Sequence, residues 1–244
     1  MKLVVDTHTH TISSGHAYST IQENAKEAFV NGIKMINMSD HGPAMNGAPF
    51  RYHFGNLKVI PGELYGVRVL KGVELNIISY DGEVDLSLNY LRNLDFVLAS
   101  FHDICIPPST VENHTRAAIK ILENPYIDVL AHPGNPQFQL DNERVVRAAK
   151  ENRKLLEINN HSFYVRTGSE KNCSEILSLC KKYGVRITTG SDSHFSFNIG
   201  KFENVYRLIE EVEMPEELVL TTSVEKVENY LLERQERIKG YRND

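Results

Sequence analysis

The amino-acid sequence predicts an α/β fold, specifically a distorted (β/α)7 barrel of the TIM type that forms a single domain. Short apolar runs alternate with helical periodicity along the chain, as they do in parallel β/α units. The length of 244 residues is common for one such barrel. The 41% hydrophobic and 24% charged residues are typical of globular proteins and can supply a sizeable core. We therefore expect one domain over residues 1–240 and a frayed tail at 241–244.

Seven apolar runs are predicted to form strands, at residues 3–5, 34–38, 67–73, 96–100, 127–131, 155–158 and 186–189. Six stretches with helical periodicity are predicted to form helices, at residues 21–31, 111–123, 142–151, 169–183, 202–212 and 224–238. The last of these helices is strongly charged, and we expect it to present a solvated face. The segments 42–61 and 77–94 break the β/α rhythm and are expected to form loops over a site.

Charge and cysteine content restrict the class of protein. Lys and Arg number 27 and Asp and Glu 32, and the resulting net charge of -5 disfavours nucleic acid or an anionic membrane as a partner. The three cysteines form no C-x-x-C pair, so neither a disulfide framework nor a cysteine zinc site is predicted. The sequence shows neither an apolar run of about 20 residues nor a signal-peptide pattern. These features predict a cytoplasmic protein that acts on a small molecule.

The chain contains ten histidines, and most of them stand where a predicted strand ends. With His16 from the first loop, the strand ends supply nine candidate metal ligands, namely His8, His10, His16, His41, Glu74, His102, His132, Asp192 and His194. The carboxyl ends of parallel barrel strands meet on one face, so these residues are expected to converge. A catalytic zinc takes about three protein ligands, and nine therefore predict more than one ion, with room for three. Glu74 or Asp192 could bridge two of them.

Several motifs surround these ligands and span essentially the whole chain, namely Asp6-Thr7-His8-Thr9-His10, His16-Ala17-Tyr18-Ser19, Asp40-His41-Gly42-Pro43, Gly72-Val73-Glu74, His102, His132-Pro133-Gly134-Asn135-Pro136, Leu156-Glu157-Ile158-Asn159-Asn160 and Gly190-Ser191-Asp192-Ser193-His194. With these motifs the sequence resembles the PHP family, the polymerase and histidinol phosphatase superfamily, and in particular its stand-alone phosphatases of the bacterial YcdX type. The resemblance implies a distorted seven-stranded barrel that hydrolyses phosphate monoesters.

The resemblance also implies a trinuclear centre of divalent ions, with zinc as the first expectation and manganese or iron as alternatives. One ion would be held by His8, His10, Glu74 and Asp192. Glu74 would bridge to a second ion held by His102 and His132, and a third would be held by His16, His41 and His194. Glu74, Asp192 and His194 would act in catalysis through the bound metals. A hydroxide between two ions would be the nucleophile, and the metals would disperse the charge of the phosphoryl group.

Three residues outside the ligand set are candidate contacts for a small phosphorylated substrate. Arg51 and Arg166 lie in predicted loops, and a guanidinium can bind phosphate oxygens bidentately. His161 follows the sixth predicted strand and therefore faces the same end of the barrel. The loops at 42–61 and 107–113 are expected to shape specificity.

Other polar residues receive a structural interpretation. His53 and His114 are expected on loop or helix surfaces. Asp6 and Asp40 precede ligating histidines, where a carboxylate either orients an imidazole ring or caps a local turn.

Four alternatives to a general phosphatase stay open on the sequence alone. A histidinol phosphatase proper would share the whole ligand set. An amidohydrolase-like barrel also opens with H-x-H, but its usual bridging lysine is missing here. An exonuclease of the PHP type is disfavoured by the net charge, and a non-catalytic metal-binding domain by the complete ligand set.

Overall fold

The computed structural model describes residues 1–241, so positions 242–244 of the expected tail lie outside the described residues. Seven parallel strands form a nearly closed barrel in the order β1-β2-β4-β5-β6-β7-β8, and the short β3 pairs antiparallel with β4. The strands of this described part are β1 (Val5–Thr9), β2 (Met35–Met38), β3 (Glu63–Leu64), β4 (Val67–Asn76), β5 (Phe96–Ser100), β6 (Val129–Leu130), β7 (Leu155–Asn159) and β8 (Ile187–Gly190). The predicted seven-stranded, TIM-like barrel is confirmed.

Helices cover the outside of the barrel, and several begin at residues that cap them. Thr20 forms a capping box with Glu23, and the side chains of Thr110 and Asp141 accept hydrogen bonds from the first turns that follow them. The helices are α1 (Ile21–Val30), α2 (Tyr52–Asn56), α3 (Leu88–Leu91), α4 (Val111–Glu123), α5 (Asn142–Glu151), α6 (Ser162–Val165), α7 (Ser169–Tyr183), α8 (Glu203–Val212) and α9 (Val224–Gly240). Between residues 1 and 241, no helix has the length and apolar character needed to cross a bilayer.

The predicted helices agree closely with these bounds, whereas several predicted strands do not. The first strand was predicted at 3–5 but is Val5–Thr9, and the third was predicted to end at residue 73 but extends to Asn76. The fifth is shorter than predicted, and β3 was not predicted. The two strands that were predicted too short end in polar residues, so the apolar run in the sequence ends before the strand ends. The expected loops at 42–61 and 77–94 contain the short helices α2 and α3.

The inside of the barrel is apolar at one end and polar at the other. The inner cluster near the beginning of the strands consists of residues such as Val5, Met35, Leu70, Phe96, Leu98, Val129 and Leu155. Side chains alternate between the faces of a strand, so the later inward positions of β4 are Gly72, Glu74 and Asn76. By the same alternation, β5 continues from Phe96 and Leu98 inward to Ser100 and then His102. The carboxyl ends of the strands thus carry a polar layer on an apolar floor.

Helix α9 closes the amino-terminal end of the barrel, and one side of it is buried. Val227 and Tyr230 join the inner apolar cluster. Arg234 is 4% exposed, and its Nε donates to Oδ2 of the fully buried Asp128 at 2.7 Å. Nη2 of Arg237 donates to Asp128 Oδ1 at 2.6 Å. The expectation of a solvated face therefore holds for one side of this helix only, because the opposite side buries charges that pair.

The buried ion pair predicts a large stability loss on truncation of Arg234. Arg234→Ala removes one partner of a buried carboxylate and should lower the free energy of unfolding by about 3 kcal/mol. Lys239→Ala on the same helix removes only an exposed pair with Glu236 and should cost less than about 1 kcal/mol. Urea unfolding of the metal-free variants measures both values. Equal losses would contradict the role given to Arg234.

Candidate metal centre

The nine candidate ligands come together at the carboxyl ends of the strands. Three groups have ligand atoms that all lie within 4.8 Å of one another, namely His8, His10 and Glu74, then His41, Glu74 and His102, and lastly His10, His41 and His194. His132 and His16 adjoin these groups, since His132 Nε2 lies 2.9 Å from Glu74 Oε1 and His16 Nε2 lies 3.1 Å from His194 Nε2. His16 and His194, which are 178 positions apart in sequence, are thus brought into contact.

An irregularity in β1 brings His8 into the barrel. Val5 packs inside, and strict alternation would turn a residue three positions later outward. The pairing of β1 with β2 shifts register between Asp6 and Thr9, which allows His8 to face inward as well. A Cβ atom on Gly190 of β8 would collide with His8 and Glu157, so the neighbouring strand needs glycine at this point.

Glu74 lies at the centre of the cluster, and nitrogens of five imidazole rings lie within 3.5 Å of its oxygens, namely those of His8, His10, His41, His102 and His132. Its Oε2 is 2.8 Å from Nδ1 of His41 and 3.2 Å from Nε2 of His8. Its Oε1 is 2.9 Å from Nε2 of His132 and 3.5 Å from Nε2 of His102. The two oxygens therefore point toward different groups of nitrogens, which is the arrangement expected of a bridging carboxylate.

Asp192 is the second carboxylate of the cluster. Its Oδ1 is 3.2 Å from Nε2 of His10 and 3.5 Å from Nε2 of His8. Asp192 and His132 both have positive φ angles, of 53° and 33°. Such conformations cost non-glycine residues of order 1 kcal/mol or more and concentrate at functional sites. The backbone is thus strained where it presents two of the nine side chains.

Hydrogen bonds on the outer nitrogens fix the orientation of several rings. Nδ1 of His8 donates to the carboxylate of Glu157 at 2.8 Å. The Ser14 hydroxyl donates to Asp40 at 2.7 Å and accepts from Nδ1 of His10 at 3.0 Å. Each ring therefore has a proton on Nδ1, and its Nε2 faces into the cluster, where it can bind a metal once it carries no proton.

The charges of the cluster shift several pKa values strongly. Burial lowers the pKa of His8, but Glu157, Glu74 and Asp192 outweigh it and raise this pKa well above its ordinary value. Burial also raises the pKa of Glu74, yet the surrounding histidines hold it well below its ordinary value. Burial and the rings of His194 and His41 lower the pKa of His10 to about 3. The carboxylates are therefore ionised, and the centre favours positive charge.

The donor set fits divalent metal ions. Oε2 of Glu74 and Nδ1 of His41 are buried and have no hydrogen-bond partner, although they lie 2.8 Å apart. The Nε2 atoms of His8 and His10 lie 3.0 Å apart, both beside carboxylates. Unpaired buried acceptors are costly, and a cation between them would satisfy these atoms together. Imidazole and carboxylate ligands suit zinc, manganese and iron.

The three candidate substrate contacts lie in different surroundings. Nη1 of Arg166 lies 3.4 Å from Asp192 Oδ2, and the side chain is 15% exposed. The ring of His161 stacks on His194 with centroids 6.0 Å apart. The guanidinium of Arg51 lies instead over the ring of Phe50, at 5.1 Å, on an exposed loop. Arg166 and His161 thus adjoin the candidate metal ligands, whereas the described contacts of Arg51 are with its own loop.

The structure also describes the surroundings of two histidines outside the candidate ligand set, His114 and His53. His114 was expected on a surface but is 1% exposed, because the helix face that carries it packs against the barrel and its nitrogens find backbone partners at Ser109 and Gln139. His53 lies in the short helix α2, and its Nε2 is 3.3 Å from Asp40 Oδ2.

Four supporting residues have roles that the sequence did not predict, namely Ser14, Asn76, Asp85 and Glu157. Glu157 stands between Leu156 and Ile158 in a fully buried strand, and that position was a usable signal. Asp40 orients a ring through Ser14, which is one of its two predicted roles. Asp6 accepts the nearby backbone N–H of His8 at 3.3 Å, but its shorter contacts are with the N–H groups of Ser191 and Gly200, which are distant in sequence, so it mainly joins separate segments and does not simply cap a local turn.

Comparison with known proteins agrees with the motifs. Residues 6–209 match the family model of the PHP domain. The chain is 66% identical over 239 residues to a protein named probable phosphatase from Acetivibrio thermocellus, covering 98% of this chain and 99% of the relative. It is 54% identical over 245 residues to a probable phosphatase from Caldanaerobacter subterraneus subsp. tengcongensis, covering 100% and 96% of the two chains.

A solved structure shares the fold. The crystal structure of a histidinol phosphate phosphatase from Lactococcus lactis, complexed with zinc, L-histidinol and phosphate, matches with a TM-score of 0.60 at 16% identity. The match covers 88% of this chain and 95% of that one, and at this identity it supports the barrel architecture alone. Because the family model extends over most of the chain and close relatives match almost end to end, the chain belongs to the PHP family.

Proposed function

We propose that this chain hydrolyses phosphate monoesters of small molecules at a centre of three divalent ions, with zinc as the first candidate. The convergence of nine imidazole and carboxylate side chains on one end of the barrel carries this proposal. Relatives that match nearly the whole chain are named probable phosphatases, which supports the same reaction. The bound ions would ionise water near neutral pH and neutralise the developing charge on the phosphate, so no serine or cysteine nucleophile is required.

The geometry supports a division of the ligands among three ions. His8, His10, Glu74 and Asp192 would hold one, Glu74, His102 and His132 a second, and His16, His41 and His194 a third. His41 Nδ1 lies 2.8 Å from Glu74 Oε2, so His41 stands between the second and third positions. Glu74 and Asp192 would keep the ions together, and His194 would complete the outermost position.

Substrate contacts would come from the side of the centre near Asp192. Nη1 of Arg166 donates to the Ser162 hydroxyl at 3.0 Å, which holds the guanidinium at the edge of the centre. From there it can bind the outer phosphate oxygens. His161, half-buried against His194, would contact the same substrate. Arg51 stays a candidate for the more distant part of a substrate, because its loop is exposed.

Loss of a ligand should remove both metal and turnover while the barrel stays folded. In His10→Ala or Asp192→Ala we expect fewer bound ions per chain and hydrolysis of phosphate monoesters lowered by more than about 100-fold, since even residues that only orient ligands contribute 10- to 100-fold. Elemental analysis, circular dichroism and phosphate release measure the three properties. His114→Ala removes an equally buried histidine outside the centre and should keep its metal and its turnover.

Full activity in both ligand variants would refute the site. Loss of activity in His114→Ala to the same extent would show that general destabilisation explains the result. A chain that binds the ions but releases no phosphate from any monoester would overturn the proposed reaction and leave a metal-binding domain.

The position of Arg166 beside Asp192 predicts that its substitution lowers the efficiency of substrate hydrolysis and leaves the number of bound ions unchanged. Arg166→Ala should lower kcat/KM about 10- to 100-fold, because a hydrogen bond to a charged group is worth roughly 1.5–3 kcal/mol. Arg166→Lys should recover only part, since an ammonium lacks the bidentate fork. The exposed Arg207→Ala on α8 serves as the control and should match the unmodified chain. Unchanged kcat/KM in Arg166→Ala would contradict this role.

A further inference from the structure

The segment between β4 and β5 reaches the metal centre through a carboxylate, Asp85. Its Oδ1 accepts the backbone N–H of Asn76 at 3.0 Å. Its Oδ2 accepts the side-chain amide of Asn76 at 2.6 Å and the backbone N–H of Ala44 at 2.9 Å. Asp85 therefore joins this segment to the last residue of β4 and to the loop that follows His41.

These contacts determine which way the Asn76 side chain points. Its Nδ2 donates to the carboxylate of Asp85 and to the carbonyl oxygen of Gly42, at 3.0 Å. Both partners are acceptors only, so the amide nitrogen must face them. The amide oxygen of Asn76 is consequently turned to the other side, toward His102.

The orientation of Asn76 in turn determines the tautomer of His102. Nδ1 of His102 lies 2.8 Å from Oδ1 of Asn76, whereas the hydroxyl of Ser100 is the weaker partner at 3.4 Å. An amide oxygen can only accept, so Nδ1 must hold the proton. Nε2 then keeps its lone pair, and it faces Glu74 Oε1 at 3.5 Å. This is the tautomer that a metal at that position requires.

Asp85 also holds the loop that carries His41. A Cβ atom on Gly42 would collide with the Asp85 carboxylate, so this loop runs directly against it. The N–H of Gly42 donates to the carbonyl oxygen of Glu74 at 2.8 Å, which fixes the loop to β4 on its other side. Two of the rings around Glu74, those of His41 and His102, therefore depend on contacts made by Asp85.

We propose that Asp85 is a positioning residue for the ion assigned to Glu74, His102 and His132, and that it acts through Asn76 by fixing the tautomer of His102. The inference rests on the metal centre of the proposed function and assigns a task to a segment expected only to cover the site. Outer partners of this kind typically contribute 10- to 100-fold to metal affinity.

The test replaces the carboxylate by its isosteric amide. In Asp85→Asn, either orientation of the new amide sets an NH2 group against an N–H donor, namely Asn76 N–H on one side and Ala44 N–H on the other. One contact that fixes Asn76 is therefore lost or becomes repulsive, and its orientation is held less firmly, with the carbonyl oxygen of Gly42 as the unchanged acceptor. We expect the affinity of the variant for one of the three ions to be 10- to 100-fold lower than that of the unmodified chain, as measured by competition with a chelator. The affinities for the other two ions should be kept.

A matched control lies in the same segment. The side chain of Asp81 is 84% exposed, and Asp81→Asn makes the same chemical change without touching the centre. Titration of the zinc-loaded chains with a chromophoric chelator gives all three affinities for each protein. Affinities in Asp85→Asn equal to those in Asp81→Asn would overturn the proposal. If the unmodified chain binds no zinc at all, the metal centre of the proposed function fails first, and the two failures are thus distinguishable.

A second measurement reads the tautomer of His102 directly, and its first part uses the unmodified chain alone. In the metal-free chain labelled with 15N-histidine, long-range 1H–15N correlations report which ring nitrogen of His102 holds the proton, and His102→Gln identifies its signals. We expect the Nδ1–H tautomer in the unmodified chain and a shift toward Nε2–H in Asp85→Asn. A proton on Nε2 in the unmodified chain would overturn the proposal.

Discussion

The burial of one carboxylate, Glu74, governs what the upper half of the barrel can contain. An ionised carboxylate taken out of water costs several kcal/mol unless charges or donors compensate it. The side chain is 1% exposed, and nitrogens of His8, His41, His102 and His132 face it from four separate parts of the chain. They can meet only where the carboxyl ends of the strands converge. Barrel closure and the candidate centre therefore depend on each other, and the buried Oε2 of Glu74, which has no hydrogen-bond partner, is where a bound cation would complete the charge balance.

The layered interior of the barrel makes this concentration of charge tolerable. The apolar cluster fills the floor from inward positions early in the strands, and α9 seals it with Val227 and Tyr230. Buried Asp128, paired with Arg234 and Arg237, fastens that helix at the end opposite the centre. In such dry surroundings each hydrogen bond to a ligand is stronger than in water, and each missing partner is more costly. The outer hydrogen bonds from Glu157, Ser14 and Asn76 are accordingly part of the centre.

The sequence was sufficient for the fold class, for most helices and for the convergence of the ligands, because these follow from local periodicity and from the common direction of parallel strands. It was insufficient where the role of a residue depends on contacts with residues distant in sequence. Glu157 accepts a hydrogen bond from His8, which is 149 positions away in sequence, and no local sequence pattern predicts that contact. The first strand was predicted too short because polar residues such as Asp6 and His8 belong to it and serve the site. His114 was predicted exposed because helical position alone does not show which backbone atoms will satisfy its ring.

The number of divalent ions bound per chain decides between a multinuclear centre and a cluster of mutually compensating side chains. Elemental analysis of protein purified without chelator or affinity tag, and reloaded with zinc or manganese, gives that number directly. Nine converging ligands around two buried carboxylates predict close to three ions. Two would remove the outermost position formed by His16, His41 and His194. One or none after reloading would contradict the interpretation, since the buried carboxylates would then be balanced by protonated histidines alone.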